Sequence, residues 1–409
     1  MAEAVVQGDF MSRSQKDAGL PSARAVRAIA AIDAASWDRF ANPDAATTNP
    51  FVAHAFLKAL EDAGSVGGRT GWSPRHIVLE RAGQIAGVAP AYLKSHSQGE
   101  YVFDHGWAEA FQRAGGQYYP KLQISVPFTP VPGPRLLVGN GLDADENRRL
   151  LAAGAIQLAQ HSGVSSLHIT FTDQPTCDAL GGGASPQFLQ RTDQQFHWCN
   201  NGYAAFDDFL AALSSRKRKT IRKERETALA PGITVRRLLG REITEAHWDA
   251  FYAFYMDTGS RKWGRPYLNR TFFSLLGERM GQNCLLILAE RAGKPIAGAL
   301  NLIGGDCLYG RYWGALEQHP CLHFELCYYQ AIEMAIAMKL PRVEAGAQGE
   351  HKLARGYMPV ATHSLHWIAD GGFRTAVARY LTEERAHMAE QREMLAEYAP
   401  YKKVVAEQD

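Results

Sequence analysis

The sequence lacks several features that would assign a protein to a class at once. Its 409 residues contain no uninterrupted apolar stretch of the roughly 18 residues that a membrane-spanning helix requires. The first residues have neither the basic region nor the apolar region of a signal peptide. The net charge is only +2, so the composition does not indicate a DNA-binding protein. These absences predict a globular protein of the cytoplasm that does not insert into a membrane.

Motifs for several common chemistries are missing as well. The six cysteines form no C-x-x-C pair and no metal-ligand spacing, which indicates free thiols in a reducing compartment and predicts no metal site. No Walker loop, no Rossmann fingerprint and no Ser-His-Asp or Cys-His set is identifiable. The sequence therefore predicts no tightly bound cofactor and no covalent intermediate.

What the sequence does contain is an internal repeat. The segment around Trp37 returns around Trp248, a Glu-Arg-Ala-Gly turn occurs near residues 80 and 290, and His197-Trp198 returns as His366-Trp367. The separation between matching residues shrinks along the chain, so we predict that the first copy carries extra residues, roughly 115–142. Two related modules in one chain constrain the fold more than any single motif does.

Each copy has the pattern of a mixed α/β module. In copy 2, apolar residues at helical spacing predict helices over residues 244–256, 271–280, 324–338 and 373–398. A three-strand meander is predicted over 284–290, 296–303 and 308–315, with further strands at 342–345 and 364–368. In copy 1 the corresponding third strand is predicted at 101–107. We expect an α+β fold of two tandem modules, each a mixed, mainly antiparallel sheet flanked by helices.

The same reading predicts the domain organisation. Residues 1–23 are polar and small and are predicted to form a disordered tail. The first module then covers residues 24–205, a basic linker helix covers 206–230, and the second module with a C-terminal helix covers 231–409.

Residues 343–359, 214–225 and 310–314 carry a resemblance to a known family. Together with the order of elements and its doubling, they resemble the FemAB-like group of the GNAT acyltransferase superfamily, described as peptidoglycan biosynthesis/recognition proteins. The resemblance covers nearly the whole chain after about residue 45. It implies two tandem GNAT modules and the transfer of an acyl or aminoacyl group.

The segment that follows the predicted strand at 342–345 is dense in chemically active side chains. Gly346 and Gly349 permit a close approach of the backbone to a ligand. A base taken from this segment would deprotonate an amine acceptor, and its cations would hold a phosphate or an oxyanion. The alternative is a solvated loop with an internal ion pair. The predicted catalytic residues are Glu350, His351, Lys352 and Arg355, and Gln348 is predicted to bind substrate.

The linker helix concentrates positive charge. Seven Lys or Arg residues stand against two Glu between Arg216 and Glu226, whereas the whole chain carries only +2. We predict contact with phosphates of tRNA, of a nucleotide-linked acceptor or of CoA, the alternative being a solvated helix face. The residues predicted for this contact are Arg216, Lys217, Arg218, Lys219, Arg222 and Lys223.

A glycine turn before the long helix is where GNAT proteins bind the CoA diphosphate, according to the resemblance. Copy 2 has no glycine there, in residues 318–323, whereas copy 1 has Gly139 and Gly141 slightly out of step. We predict donor binding at Gly139 and Gly141, with an ordinary loop as the alternative. The departure in copy 2 is expected if the donor is aminoacyl-tRNA, or if only copy 1 holds a phosphate.

Polar and aromatic residues on the predicted central strands indicate a cleft between the modules. An arginine in such a cleft can clamp a carboxylate or a phosphate. The start of the copy 2 helix is expected to face the same cleft. The predicted substrate-binding residues are Asp104, His105, Trp107, Arg311, Trp313, Glu325 and Tyr328.

These residues predict an N-acyl or aminoacyl transferase that joins an activated acyl group to a small-molecule or peptide amine, with a peptidoglycan precursor as one acceptor. The co-substrate is acyl-CoA or aminoacyl-tRNA, so tRNA is a predicted partner. The first alternative is an acyl-CoA-dependent acyltransferase of a small molecule. The second is a non-catalytic protein that binds a cell-wall precursor or a nucleotide.

Overall fold

The computed structural model describes residues 20–181, 187–230, 232–263, 266–346 and 349–402. Residues 1–19 of the predicted tail and Gln348 lie outside the described residues. The strands of the described part are β1 (Ser22–Val26), β2 (Trp72–Pro74), β3 (His76–Arg81), β4 (Gln84–Ala89), β5 (Ala91–Lys94), β6 (Lys121–Ile124), β7 (Ser166–Thr172), β8 (Leu189–Cys199), β9 (Ile233–Leu239), β10 (Cys284–Arg291), β11 (Lys294–Ile303), β12 (Cys307–Ala315), β13 (Arg342–Glu344) and β14 (Met358–Ile368).

Helices connect and cover these strands. They are α1 (Ala34–Ala41), α2 (His54–Asp62), α3 (His105–Arg113), α4 (Ala144–His161), α5 (Gln174–Gly181), α6 (Phe206–Ala212), α7 (Ser215–Leu229), α8 (Glu245–Trp263), α9 (Arg270–Met280), α10 (Leu322–Phe324), α11 (Gln330–Ala337) and α12 (Gly371–Glu397). A π-helical segment, Glu325–Tyr329, joins α10 to α11, and a short 3₁₀ helix covers Glu350–Arg355. No helix of the described residues is both long and apolar enough to cross a bilayer.

One long sheet runs through both repeats. Its strand order is β2-β5-β6-β7-β14-β8-β13-β12-β11-β10-β9, and β1-β3-β4 form a separate small sheet. Neighbouring strands are antiparallel except β6 with β7 and β12 with β13, which are parallel. This mixed, mainly antiparallel arrangement flanked by helices confirms the predicted fold class.

The two repeats exchange their last strands. The strand after the long helix of the first repeat, β7, pairs with β14 from the second. In the second repeat, β13 pairs in the same antiparallel manner with β8 from the first. Strands β8 and β14 also pair with each other, from Leu189 with His366 to His197 with Met358. The sheet is therefore continuous across the proposed boundary at residue 205, which remains a prediction.

Apolar side chains join the repeats on one side of the sheet. Helix α2 packs against α9, and the rings of Phe56 and Phe272 meet edge-on with centroids 5.8 Å apart. Trp37 and Trp248, the matching residues of the repeat, are both buried in this core. A second core lies under α11 and includes Trp198 and Leu326.

Most predicted elements of copy 2 are confirmed to within a few residues, but two assignments in copy 1 were wrong. Residues 101–107 are not a strand, because Asp104 precedes helix α3, which begins at His105. The counterpart of β12 is instead β6, which pairs in parallel with β7 as β12 does with β13. Since β6 lies inside the segment assigned as extra, the extra residues of the first copy lie on both sides of it, within 95–120 and 125–143. Asp104 is therefore not the equivalent of Arg311.

The close approach of β12 to α8 gives a test of this packing. A β-carbon at Gly314 would lie 2.1 Å from the carbonyl oxygen of Phe254, a backbone atom that cannot turn aside. We expect Gly314→Ala to lower the free energy of unfolding by about 2–3 kcal/mol, as overpacked sites do, measured by urea denaturation. Gly106→Ala in helix α3 is the control, since no atom lies within 4 Å of its β-carbon position. Equal effects would contradict the packing.

Candidate active site

A wedge opens in the sheet between β12 and β13. Pairing covers only the start of β12, from Cys307 with Arg342 to Tyr309 with Glu344. Beyond Glu344 the chain leaves the sheet, while β12 continues to Ala315. A β-bulge places Arg311 as an extra residue opposite β11 at this point. Bulges re-aim side chains and are frequent beside active sites, so the wedge is the candidate site.

The helix beside the wedge begins under unusual local geometry. Cys321 precedes α10 in the left-handed backbone region, with a φ of 63°. The helix then adopts π-helical geometry over Glu325–Tyr329. Left-handed non-glycine residues and π-helical turns both concentrate at functional sites. The effect here is to turn Tyr328 towards the loop that follows β13.

Aromatic and imidazole rings line the helix side of the wedge. His351 Nε2 lies 2.8 Å from the hydroxyl of Tyr328. The ring of His323 contacts those of Trp313 and Tyr328, with centroids 5.2 and 5.3 Å away. Tyr328 is buried whereas His351 is exposed. The structure thus brings together the predicted residues Trp313, Tyr328 and His351, and adds His323.

Two cations of the loop that follows β13, Lys352 and Arg355, form hydrogen bonds within it. Lys352 is buried and donates to the carbonyl oxygen of Gly346 at 2.8 Å. Burial lowers the pKa of Lys352 to about 8. Arg355 donates to the carbonyl oxygen of His351 at 2.6 Å, and its guanidinium lies 3.4 Å from the ring centroid of Phe324. Both cations therefore hold the loop in shape.

The basic linker helix is joined directly to this loop. Glu224 on α7 accepts two hydrogen bonds from Arg355, at 3.1 and 2.7 Å, and another from the hydroxyl of Tyr329. The next residue of α7, Arg225, holds Glu325 through two bonds of 3.0 and 2.9 Å. The linker helix thus contacts the loop directly, and that its cations and the loop face one cleft remains a prediction.

The six cations predicted to bind phosphate lie on the outer part of α7. Arg216, Lys219, Arg222 and Lys223 are exposed, and Lys217 and Arg218 are partly exposed. Their recorded ion pairs are weak, since Arg222 is 3.6 Å from Asp207 and both side chains are mostly in water. The seventh cation, Arg225, turns inward to Glu325 and Glu333. The outer face of α7 keeps a dense positive charge next to the wedge.

Arg311 crosses from the second repeat to the first. It donates to the carbonyl oxygen of Phe128 at 2.7 Å, and its guanidinium lies 5.6 Å from the ring centroid of Phe51. Its Nε is buried and has no hydrogen-bond partner among the described residues. Phe128 in turn stacks on Tyr267 at 4.8 Å. Arg311 therefore stands at the seam between the repeats, on the side of the wedge opposite the helix.

The similarity of this chain to known proteins shows its family. Residues 28–403 match the FemAB-like family, described as peptidoglycan biosynthesis/recognition. The chain belongs to the FemAB-like family. This membership confirms the predicted family and the prediction of a transferase-class enzyme. A comparison with curated proteins gave no match.

Solved structures of low sequence identity are similar to this chain, and FemX shows the same fold. FemX is 13% identical, with a TM-score of 0.51 over 85% of this chain and 98% of FemX. A tandem GNAT protein of the clavulanic acid biosynthesis pathway is 11% identical, with a TM-score of 0.44 over 86% of this chain and 99% of that one. A Bacteroides thetaiotaomicron protein of unknown function is 12% identical, with a TM-score of 0.49 over 83% and 98% of the two chains.

Two predicted site residues of this FemAB-like chain form ion pairs with other side chains of the protein. Glu325 is fully buried and its carboxylate is taken up by Arg225 and Gln330, so it does not face the cleft as predicted. Arg355 is likewise occupied by Glu224. Glu350, in contrast, is exposed on the same loop. Glu325 and Arg355 thus have protein partners, and a contact of either with a ligand remains a prediction.

The predicted residues of the first repeat lie elsewhere. Asp104 is buried in a charged cluster with Lys121 at 2.5 Å and the Tyr118 hydroxyl at 2.6 Å. His105 is exposed and Trp107 is buried, with its ring edge-on to His366 at 5.0 Å. They are not assembled with the wedge residues because α3 packs against α12 and β14 rather than β12. Whether they bind substrate remains a prediction.

The charged cluster around Asp104 is closed to solvent. It adds Lys94, which lies 3.5 Å from the ring centroid of Trp72, and Glu100, which binds Lys121 at 2.7 Å. Burial lowers the pKa of Lys94 and raises that of Glu100, in both cases to about 7. Burial opposes ionisation of Asp104, but Lys121 and then His168 outweigh it and hold its pKa below the ordinary value. Perturbed groups of this kind mark functional regions as well as structural networks.

The glycine turn of the first repeat lies beside a cavity of about 520 Å³. Gly139 has a φ of 69°, and the turn leads into the N-terminus of α4. The adjoining residues Asp143, Asp145 and Glu146 are acidic, and carboxylates at a helix N-terminus compete with a diphosphate for the same amides. Donor binding at Gly139 and Gly141 remains a prediction that this charge disfavours.

Several site residues were missed by sequence analysis. Glu224 was passed over because it lies among cations, whereas Tyr329 belongs to the start of the copy 2 helix, which was expected to face the cleft. Lys94 carried a usable signal, since it is a lysine at the end of the otherwise apolar strand β5, whereas Lys121 begins β6, which also contains Gln123. A charge in such a position requires a buried partner. Its partner could not be located without the fold.

The Glu224–Arg355 pair can be tested by matched substitutions on one helix. Arg355 is 7% exposed and Glu224 is 17% exposed, so removing the acid leaves an uncompensated buried cation. We expect Glu224→Gln to lower the free energy of unfolding by about 2–3 kcal/mol. Glu226→Gln, whose pair with Lys223 lies in water, should change it by less than about 0.5 kcal/mol. Urea denaturation compares them, and equal losses would show that the pair does not hold the loop.

Buried histidines should make the protein sensitive to acid. Burial lowers the pKa of His168 to about 3, whereas an unfolded histidine titrates near 6.5. Below about pH 6.5 the unfolded state binds a proton that the folded state excludes. The free energy of unfolding therefore decreases by about 1.4 kcal/mol for each pH unit of acidification, for this group alone. We expect His168→Asn to reduce the slope of unfolding free energy between pH 6 and 4 by about that amount. Unchanged slopes in urea titrations would rule this out.

Proposed function

We propose that this protein transfers an aminoacyl group from aminoacyl-tRNA to an amine acceptor, with a peptidoglycan precursor as the acceptor class. The observation that carries the proposal is the ion pair between Glu224 and Arg355. It joins α7 to the loop that carries His351, which supports a path for the donor from the cations of α7 to the wedge. A polyphosphate bound along α7 would direct its activated end into this opening.

The donor would occupy the helix side of the wedge. Neither helix that follows a central strand offers an unopposed glycine turn for the diphosphate of CoA: the second repeat has none, and the first carries three acids beside it. The exposed cations of α7 instead form a row of the kind that follows a nucleic acid backbone. The rings of Trp313, His323 and Tyr328 offer apolar faces for the donor's end. These features favour aminoacyl-tRNA over acyl-CoA.

The acceptor would approach from the side of the seam, where Arg311 holds a carboxylate or phosphate of it. Its amine attacks the ester carbonyl, a C–N bond forms and the C–O bond to the tRNA breaks. The nitrogen gives up a proton and the departing ribose oxygen receives one. We assign the proton acceptor to His351, supported by its exposure and by its bond to Tyr328. Glu350 is the second candidate base, and Gln348 remains a proposed substrate contact.

Lys352 and Arg355 would not hold a phosphate or an oxyanion, which is the role that their charge alone suggests. Their side chains hold Gly346 and Glu224, so they would position the loop on which His351 lies. Main-chain amides of the loop are then the groups available to stabilise the oxyanion. Positioning of this kind supplies much of the rate in acyl transfer between two bound substrates.

The donor is tested by binding of tRNA to charge variants. We expect Arg216→Gln/Lys219→Gln/Arg222→Gln to weaken binding of a charged tRNA fraction at least tenfold and to lower the slope of log K against log salt by about 2–3. Arg236→Gln/Arg291→Gln/Lys294→Gln removes the same charge from the other edge of the module and is the control. Filter binding with and without nuclease measures both. Stabilisation by acyl-CoA alone would favour the acyl-CoA transferase instead.

The base is tested by transfer of the labelled aminoacyl group to a soluble peptidoglycan precursor. We expect His351→Gln to lower the single-turnover rate by about 10²–10⁴-fold with unchanged tRNA affinity. Glu350→Gln should then have a much smaller effect, and the reverse order would transfer the role to Glu350. If the precursor binds and no donor is consumed by the wild-type protein, the non-catalytic binding protein becomes the better account.

A further inference from the structure

A second anion-binding site is indicated on the first repeat, far along the chain from α7. A cavity of about 520 Å³ lies between the end of β1, helix α2 and the loop that leads into β2 and β3. Three arginines line it: Arg27, Arg69 and Arg75. Because each guanidinium presents several donors in a fixed fork, such a group suits the oxygens of a phosphate.

The acidic residue that lines this cavity, Glu61, already forms hydrogen bonds with neighbouring residues of the protein. Both carboxylate oxygens of Glu61 accept from the backbone N–H of Ile29, at 3.2 and 3.0 Å. One of them also lies 2.7 Å from Nε2 of His76. Glu61 is therefore directed at the end of β1 and at β3. The cavity keeps an excess of positive charge.

Arg75 shows the electrostatic cost of this excess. It is partly buried at the junction of β2 and β3, and its recorded hydrogen bond goes to the carbonyl oxygen of the preceding Pro74. Burial and, after it, the charge of Arg27 both lower the pKa of Arg75. Two guanidinium groups that repel each other in a partly desolvated cavity are stabilised when an anion lies between them.

The backbone of the loop leaves room for a ligand. Gly64, Gly67 and Gly68 all have positive φ values, and no atom lies within 4 Å of a β-carbon at any of them. Side chains at these positions would fill the opening, whereas glycine lets a ligand reach the main chain. The backbone beneath is fixed, since the amide of Gly67 donates to Trp72 and that of Arg75 to Ala91, both at 2.7 Å.

We propose that Arg27, Arg69 and Arg75 form a binding site for the phosphate or diphosphate group of a soluble ligand, separate from the wedge and from α7. Arg75 contributes the bidentate contact from the cavity wall, and Arg27 and Arg69 close on the anion from the rim. The site needs no part of the transfer reaction, so it stands whether or not the donor is tRNA.

Calorimetric titration of the full chain with inorganic pyrophosphate tests the site, in a background with Arg216→Gln/Lys219→Gln/Arg222→Gln so that α7 does not contribute. We expect one saturable site, weakened at least tenfold by Arg75→Gln and by Arg69→Gln. The matched control is Arg24→Gln. Arg24 lies on β1, which leads into Arg27, but it is paired with Glu80, so this substitution should change the affinity for pyrophosphate less than twofold. Thermal unfolding confirms that each variant is folded.

Three results would overturn the proposal. They are equal affinities for the Arg75→Gln and Arg24→Gln variants, an absence of saturable binding at millimolar pyrophosphate, and binding only to vesicles that contain phosphatidylglycerol. Tighter binding of citrate than of pyrophosphate would assign the site to carboxylates and contradict the phosphate class. Arg69→Gln keeps the test decisive if Arg75→Gln fails to fold, because Arg69 is exposed.

Discussion

The exchange of last strands between the two repeats is the constraint on which the remaining structure depends. Because β8 lies between β13 and β14, neither repeat completes its sheet without the other. The cross-strand partners are fixed by this pairing: His197 faces Glu344, and His366 faces His168. Burial lowers the pKa of His197 to about 3 and raises that of Glu344 to about 7. The seam therefore carries buried polar pairs at matching places in both repeats.

Buried charge is the second theme, and it is distributed unequally. In the first repeat Lys94, Lys121, Glu100 and Asp104 are enclosed together, which is costly unless each charge has a partner. In the second repeat the buried Glu344 pairs with Arg342, and further ion pairs lie between α7 and the residues Arg355 and Glu325. The repeat thus preserved its strands while the charges were placed for different tasks.

The sequence predicted the second repeat better than the first, for a physical reason. Apolar periodicity and turn residues in copy 2 are local signals, and they located α9, β10–β12 and the start of α8 to within a few residues. In copy 1, β6 is only four residues long and lies far from the strand it pairs with. The polar residues near Asp104 were then read as the missing strand. Partners such as Glu224 with Arg355 are 131 residues apart, and no local pattern encodes them.

The importance of the wedge for the proposed reaction follows from the position of β12, which lies between two hydrophobic cores. Tyr309 packs into the core shared by both repeats, whereas Leu308 packs under the helices. A ligand held on α7 and one held beside Arg311 therefore lie on opposite faces of the sheet, and β12 separates them until its pairing with β13 ends. The bulge at Arg311 and the small residue Gly310 lie where that separation ends. Two substrates bound on these faces can react only there, so the protein would set the reaction's geometry by where its sheet opens.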